Sequence, residues 1–358
     1  MNFRSGFDQL PSYSAAAAGY RIRLDANERS DGPPAPVAAA IRERLAAMPL
    51  NRYPELTAQS LRAKLAGIYG CDTEQVRVGN GSSELLAAIC RLFGGAGRKI
   101  VYPEPSFSMY PVYIRLADSL PVAVTLQTGY QLPLADYVEA ARQADLAILC
   151  NPNNPTGNVL PPDALAQLAR KLDCPLLIDE AYFEFYRTSA VDLLRQADNL
   201  LIVRTFSKAY GLAAARVGYV LTSPAIGRAL GKFLMPYQVN ALSLLAAETV
   251  LDYRQEFAAG IDLIISERDR LFSRLSALPG IHVFPSQANF LLLQAEQAGK
   301  LAALFAASGI GVRDFSQSPA LAGCLRITIG TPAENEQVLA VVNQYCRLQA
   351  ETGGESNA

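Results

Sequence analysis

The chain has no tryptophan and a single histidine, His282, in 358 residues. One imidazole excludes histidine-based metal clusters, and any Ser-His-Asp triad would have to rest on that one residue. The six cysteines (Cys71, Cys90, Cys150, Cys174, Cys324, Cys346) include no C-x-x-C pair. Most stand beside aliphatic residues, which reads as reduced core packing rather than a disulfide frame or a metal site. An excess of charge of either sign is also missing: the formal net charge is −1, with no basic block or tail. Nucleic acid and anionic membrane are therefore poor partners. No uncharged apolar run approaches the roughly 18 residues of a membrane span, and the start, Met1 to Phe7, lacks the apolar stretch of a secretory signal. The simplest expectation is a cytoplasmic protein whose acid–base chemistry does not come from histidine.

What is present is an ordinary globular composition, 50% hydrophobic and 18% charged, on a chain long enough for two domains. Short apolar runs alternate with helical patterns through the middle. The runs are Lys99 to Tyr102, Pro121 to Leu126, Leu146 to Cys150, Leu176 to Asp179, Leu200 to Thr205 and Val217 to Leu221. Pro161-Pro162-Asp163 opens one of the helices between them. This rhythm predicts a mostly parallel α/β sheet covered on both faces, with ligands at the carboxyl ends of its strands. From about Asn240 a long helical pattern runs toward Leu278. Strands follow near Ile281 to Phe284, Phe290 to Gln294 and Cys324 to Ile329. The expected division is an arm over 1–45 that returns to form part of the smaller domain, a large domain over 46–245, a smaller α/β domain over 246–350 and a disordered tail over 351–358.

The most informative stretch is Thr205-Phe206-Ser207-Lys208-Ala209-Tyr210-Gly211-Leu212, followed by Arg216. A lysine among hydroxyls, with an arginine close behind, suits a phosphate-bearing aldehyde. The amine condenses with the aldehyde, while Thr205, Ser207 and Arg216 hold the phosphate. Such a cofactor would be pyridoxal phosphate. Upstream, Leu176-Leu177-Ile178-Asp179-Glu180-Ala181-Tyr182 ends an apolar strand on a carboxylate suited to the pyridine nitrogen, with a phenol for the ring's 3-oxygen. Val76 to Leu86 passes from a strand through Gly79-Asn80-Gly81-Ser82 into a helix, whose exposed N–H groups with Ser82 make an anion pocket. Phe107 is placed to stack on the ring. In the turn-rich run Asn151-Pro152-Asn153-Asn154-Pro155-Thr156-Gly157, Asn154 is the favoured donor to the 3-oxygen. Arg313 and Arg326, near strand ends, offer guanidinium forks for a carboxylate or a phosphate.

These residues resemble the fold-type I pyridoxal-phosphate aminotransferases, and within them the histidinol-phosphate subgroup. The likeness runs from about Tyr13 to Tyr345 and is carried also by Leu24-Asp25-Ala26-Asn27-Glu28, Asn51-Arg52-Tyr53-Pro54-Glu55 and Leu325-Arg326-Ile327-Thr328. It implies Lys208 as the cofactor-bearing lysine, Asp179 as the pyridinium partner, and Tyr182 and Asn154 at the 3-oxygen. It implies Gly81, Ser82, Thr205, Ser207 and Arg216 at the phosphate, with Tyr53 reaching it from the neighbouring subunit of a homodimer. Arg326 would grip the α-carboxylate of glutamate. Arg313 and Tyr13 would serve the phosphate of histidinol phosphate, and Asn27 and Asn289 would line the cleft. The implied reaction exchanges an amino group between glutamate and imidazole-acetol phosphate. Aromatic amino-acid transamination and threonine-phosphate decarboxylation are alternatives on the same fold. One departure stands out: Arg29-Ser30-Asp31-Gly32 follows the Asn-Glu pair where Asn-Pro or Tyr-Pro is common. Arg29 there is a candidate extra charge for a phosphorylated substrate.

Overall fold

The computed structural model describes residues 19–355, arranged around two sheets. The chain first lays down a short strand, β1 (Ile22–Leu24). Seven strands then build the large sheet: β2 (Val76–Asn80), β3 (Lys99–Glu104), β4 (Leu120–Thr125), β5 (Leu146–Cys150), β6 (Leu176–Asp179), β7 (Leu200–Thr205) and β8 (Val217–Thr222). Their order is β2-β8-β7-β6-β5-β3-β4, parallel from β7 through β4, with β8 antiparallel to both β7 and β2. The central strands are buried along their whole length because helices cover both faces. The period of two is visible in the packing: Leu176, Ile178, Leu200 and Ile202 enter one core, while Leu177, Leu201 and Val203 enter another.

The second sheet joins β9 (Ile281–Phe284), β10 (Phe290–Ala295), β11 (Ile310–Asp314) and β12 (Cys324–Thr328) to β1, in the order β1-β11-β12-β10-β9. Only the β1–β11 pair is parallel. The helices Ala258–Ser276 and Pro332–Glu355 cover it; Leu271, Leu275, Val338 and Val342 share a core with Phe290, Leu291 and Ile327. All six cysteines are free thiols.

The handover between the two cores differs from the division read off the sequence. The helical pattern after Asn240 is two helices. The first, Ala241–Asp252, begins where Asn240 Oδ1 accepts the Ser243 N–H at 2.9 Å, and it puts Leu244, Ala247 and Val250 into the large-sheet core. Phe257 still belongs there, and the second core begins in the helix Ala258–Ser276. The helix Ala35–Ala46 also packs Val37 into the large-sheet core, so the early arm is shared between the sheets. The last helix continues to Glu355, into the stretch expected as a tail. Among the described residues, no helix is long and apolar enough to cross a membrane.

Candidate active site

A cavity of about 490 Å³ opens at the carboxyl ends of β5, β6 and β7, where the two sheets meet. The segment Ala26–Glu28, leaving β1, closes one side. Ser82, Phe107, Asn154, Asp179, Tyr182, Thr205, Ser207, Lys208, Arg216 and Arg326 all line it.

One end is built for an anion. The helix Ser82–Phe93 starts there with no side-chain cap on its first N–H groups, leaving them available to a ligand. Thr205 Oγ1 donates to Ser207 Oγ at 2.9 Å, and an Arg216 Nη1–H donates to Ser207 Oγ at 3.4 Å. Two glycines let this corner close. Gly81 has φ 80°, and a Cβ there would lie 2.4 Å from Arg216 Nη2. Gly218, in β8 between Gly79 of β2 and Thr205 of β7, carries the turn so close that a Cβ would stand 2.3 Å from the Ser82 nitrogen.

The other groups are two buried charges of opposite sign. Asp179, ending β6, accepts the Tyr110 hydroxyl at 2.9 Å and the Ala181 N–H at 3.2 Å. Burial still pushes its carboxyl up to about 6, against the lowering by Tyr110 and the backbone. Among the described residues no ammonium or guanidinium bonds to it. Lys208 turns its amine to the Ala26 carbonyl at 2.8 Å instead. Burial first, and then the Arg326 charge, bring that amine down to about 8. A buried carboxylate with no cation, a softened lysine and an anion corner fit pyridoxal phosphate: its protonated ring nitrogen, its aldehyde and its phosphate answer the three in turn.

On the opposite wall Arg326, 7% exposed, donates from Nη1 to Asn154 Oδ1 at 2.5 Å and from Nη2 to the Asp25 carbonyl at 2.6 Å. Asn27 Nδ2 donates to the Tyr182 hydroxyl at 2.9 Å. Asn289 stands behind Asn27, donating to its carbonyl at 3.1 Å, with its own buried Oδ1 left without a partner. Phe107 meets Tyr110 edge to face, ring centres 5.4 Å apart.

The sequence-predicted residues that do not gather here are also informative. Tyr53 lies outside the cavity, 82% exposed and stacked on Tyr237 at 4.7 Å. Arg313 sits on β11 beside Phe315 and does not line the cavity. Tyr13 falls outside the described residues. Arg29 corrects an expectation: its side chain is 2% exposed and bound to both carboxylate oxygens of Asp31. Its charge is neutralised and turned away from the cavity, so it offers nothing directly to a phosphorylated substrate. Sequence reasoning passed over Tyr110, the donor to Asp179. Its one signal was a position three residues beyond Phe107, at the start of the helix Tyr110–Leu116.

Comparison with known proteins agrees with this geometry. The profile of the family described as "Aminotransferase class I and II" matches residues 21–342. A histidinol-phosphate aminotransferase of Thermoanaerobacter pseudethanolicus is 36% identical over 330 residues, covering 92% of this chain and 94% of that protein. Among solved structures, the histidinol-phosphate aminotransferase of Sinorhizobium meliloti in complex with pyridoxal-5'-phosphate superposes with a TM-score of 0.84 at 27% identity, covering 92% of each chain. The L-threonine-O-3-phosphate decarboxylase of Porphyromonas gingivalis superposes at 0.80 with 25% identity, over 91% of this chain and 99% of that one.

Proposed function

Starting from a chain that belongs to the class I and II aminotransferase family, we propose that it uses pyridoxal phosphate to move an amino group between L-glutamate and imidazole-acetol phosphate, giving 2-oxoglutarate and L-histidinol phosphate. The observation that carries the chemistry is the convergence of the Lys208 amine, the Asp179 carboxylate and the Ser207–Arg216 corner on one cavity. The choice of substrate is supported by likeness to histidinol-phosphate aminotransferases over nearly the whole chain.

When bound, pyridoxal phosphate supplies an aldehyde for the substrate amine and a protonated ring that draws electrons from the substrate carbon. Asp179, mostly ionised at neutral pH because its carboxyl titrates near 6, would keep the ring nitrogen protonated. Gly81, Ser82, Thr205, Ser207 and Arg216 would hold the phosphate, with Phe107 against the ring. Tyr182, oriented by Asn27, and Asn154 would serve the 3-oxygen. Lys208, whose amine burial brings down to about 8, would carry a proton at Nζ between the substrate carbon and the C4′ carbon of the bound cofactor. Such transfers contribute about 10² to 10⁴ in rate. Arg326 would exchange its bond to Asn154 for the α-carboxylate of glutamate.

We also propose a homodimer. Tyr53, stacked on Tyr237, is exposed, as are Leu50, Leu56 and Met235; a second copy would cover apolar side chains such as these while delivering Tyr53 to the neighbouring phosphate. With no membrane-length helix among the described residues, the cytoplasm is the proposed place of work.

The test is to load the purified protein with pyridoxal phosphate and offer L-histidinol phosphate, L-phenylalanine and L-threonine O-3-phosphate separately. Bleaching of the yellow cofactor band by histidinol phosphate at micromolar concentration, with regeneration by 2-oxoglutarate, is expected. Carbon dioxide release from threonine phosphate, or bleaching by phenylalanine alone, would replace the named substrate.

A further inference from the structure

Arg29 stands one residue past the segment that borders the cavity, yet it points into packed protein. Nε and Nη2 donate to Asp31 at 2.8 and 2.5 Å, while Nη1 donates to the backbone carbonyl of Ala209 at 2.9 Å. Its guanidinium carbon lies 5.9 Å from the centre of the Phe257 ring. A Cβ at Gly260 would come within 2.6 Å of Nη2, so the group fills the space left at the start of the helix Ala258–Ser276. Burial pushes the Asp31 carboxyl up, but the hydrogen bonds and charge of Arg29 outweigh it and hold the carboxyl below the usual range.

Ala209 is the residue after Lys208, and the Lys208 amine donates to Ala26, three residues before Arg29. A single short segment therefore holds the lysine twice: the amine through the Ala26 carbonyl, and the following peptide through the Arg29 side chain. The groups that set the charge balance at the amine come from four directions: Glu28 on this segment, Asp179 at the end of β6, Arg326 on β12 and Arg216 behind the lysine loop. Only Glu28 moves with the segment. If the segment slipped, Ala26 and Glu28 would leave together and water would reach the amine.

We propose that Arg29 is a positioning residue for Lys208: braced by Asp31, it fixes the Ala209 carbonyl to the Ala26–Asp31 segment and so sets where the lysine amine stands in the cavity. This rests on the reading of Lys208 as the amine that works at the substrate carbon. An error of about 1 Å in such a group costs about 10²-fold in rate, so a brace outside the cavity has a measurable effect.

The experiment compares Arg29→Gln, Arg29→Lys and Asp31→Ala with the unaltered protein. In cofactor-free protein, competitive acetylation followed by mass spectrometry reads the pH midpoint of the Lys208 amine. The midpoint is expected near 8, and in Arg29→Gln it should rise by about half a unit or more: burial is the largest influence on the amine, so the entry of water outweighs the loss of Glu28 and of the Ala26 carbonyl. Arg29→Lys, which keeps a donor for the Ala209 carbonyl, should recover part of that rise. In the loaded enzyme, kcat of Arg29→Gln should fall about tenfold or more while KM for glutamate, gripped by Arg326, stays within about threefold. A lower melting temperature with an unchanged midpoint and unchanged kcat per folded molecule would overturn the proposal. If Arg29→Gln does not fold, Asp31→Ala at the exposed end of the pair carries the test: a rise in midpoint supports the brace, and an unmoved midpoint refutes it. Because acetylation needs no substrate, a wrong choice of amino acceptor leaves this result intact. Borohydride trapping of the cofactor on Lys208 checks the underlying reading separately.

Discussion

Asp179 and Glu180 are consecutive carboxylates, 4% and 1% exposed, and their surroundings are opposite. Asp179 ends β6 and Glu180 is the next residue, and the two bond to different partners. Glu180 joins Arg204, which donates from Nε and Nη2 at 2.9 and 2.8 Å, and also accepts the Ala190 N–H and the Ser189 hydroxyl. Arg204 in turn lies 3.6 Å over the Phe183 ring and 4.8 Å over Tyr69. Asp179 has a phenol and one backbone N–H, and among the described residues no cation is bonded to it; Lys208 acts on it only from a distance. The pair teaches that burial alone does not mark a working group. The satisfied carboxylate holds the fold together, and the one left short of positive charge is where a ligand completes the set.

The sharpest way to break the comparison is Asp179→Asn. Turnover should drop about 10²- to 10³-fold, as for loss of a buried electrostatic group at a reacting centre. The melting temperature of the cofactor-free protein should hold or rise, because an unpaired buried charge is gone. Calorimetry and steady-state assays together read both halves. Glu180→Gln should do the reverse. It strands the Arg204 charge at a cost of about 3–5 kcal/mol, seen in chemical denaturation, with kcat per folded molecule within about threefold. A stable but inactive Glu180→Gln would end the distinction. The smallest expected effect sharpens it: Tyr110→Phe removes a donor that favours the ionised Asp179, so its carboxyl moves further above 6. In the cofactor-free protein, an NMR titration of the Asp179 carboxyl should show that upward move as a displaced acid limb. A limb that stays in place would mean the phenol is packing rather than tuning.

Much of this was legible from the residues alone, and the parts that were not share a cause. The strands Leu146–Cys150, Leu176–Asp179 and Leu200–Thr205 announce themselves because strands covered on both faces are apolar without interruption. Lys208, Asp179 and Arg216 announce themselves because charge at the end of such a strand is expensive unless it is used. Tyr110 stayed hidden because a phenol that bonds a carboxylate looks, in sequence, like any core aromatic. Arg29 misled because a sequence displays its charge but not the Asp31 carboxylate folded against it. The expected boundary after residue 245 falls inside the helix Ala241–Asp252 because its apolar residues surround it, leaving no stripe that says which sheet it faces. In each case the missing information is a contact between distant segments.

The crossing of Gly218 beneath the Ser82 nitrogen has a consequence for anyone who would evolve this protein. Even alanine at that position drives a carbon into main chain, which has no rotamer to yield. A saturation library would find position 218 barren, and no change elsewhere in the pocket's side chains would reopen it. New amine substrates can be sought by varying the wall around Asn154 and Arg326. Variation at position 218 would return only the starting residue, so the close approach of β8 to the Ser82 turn is the part of this catalyst that selection cannot retune one codon at a time.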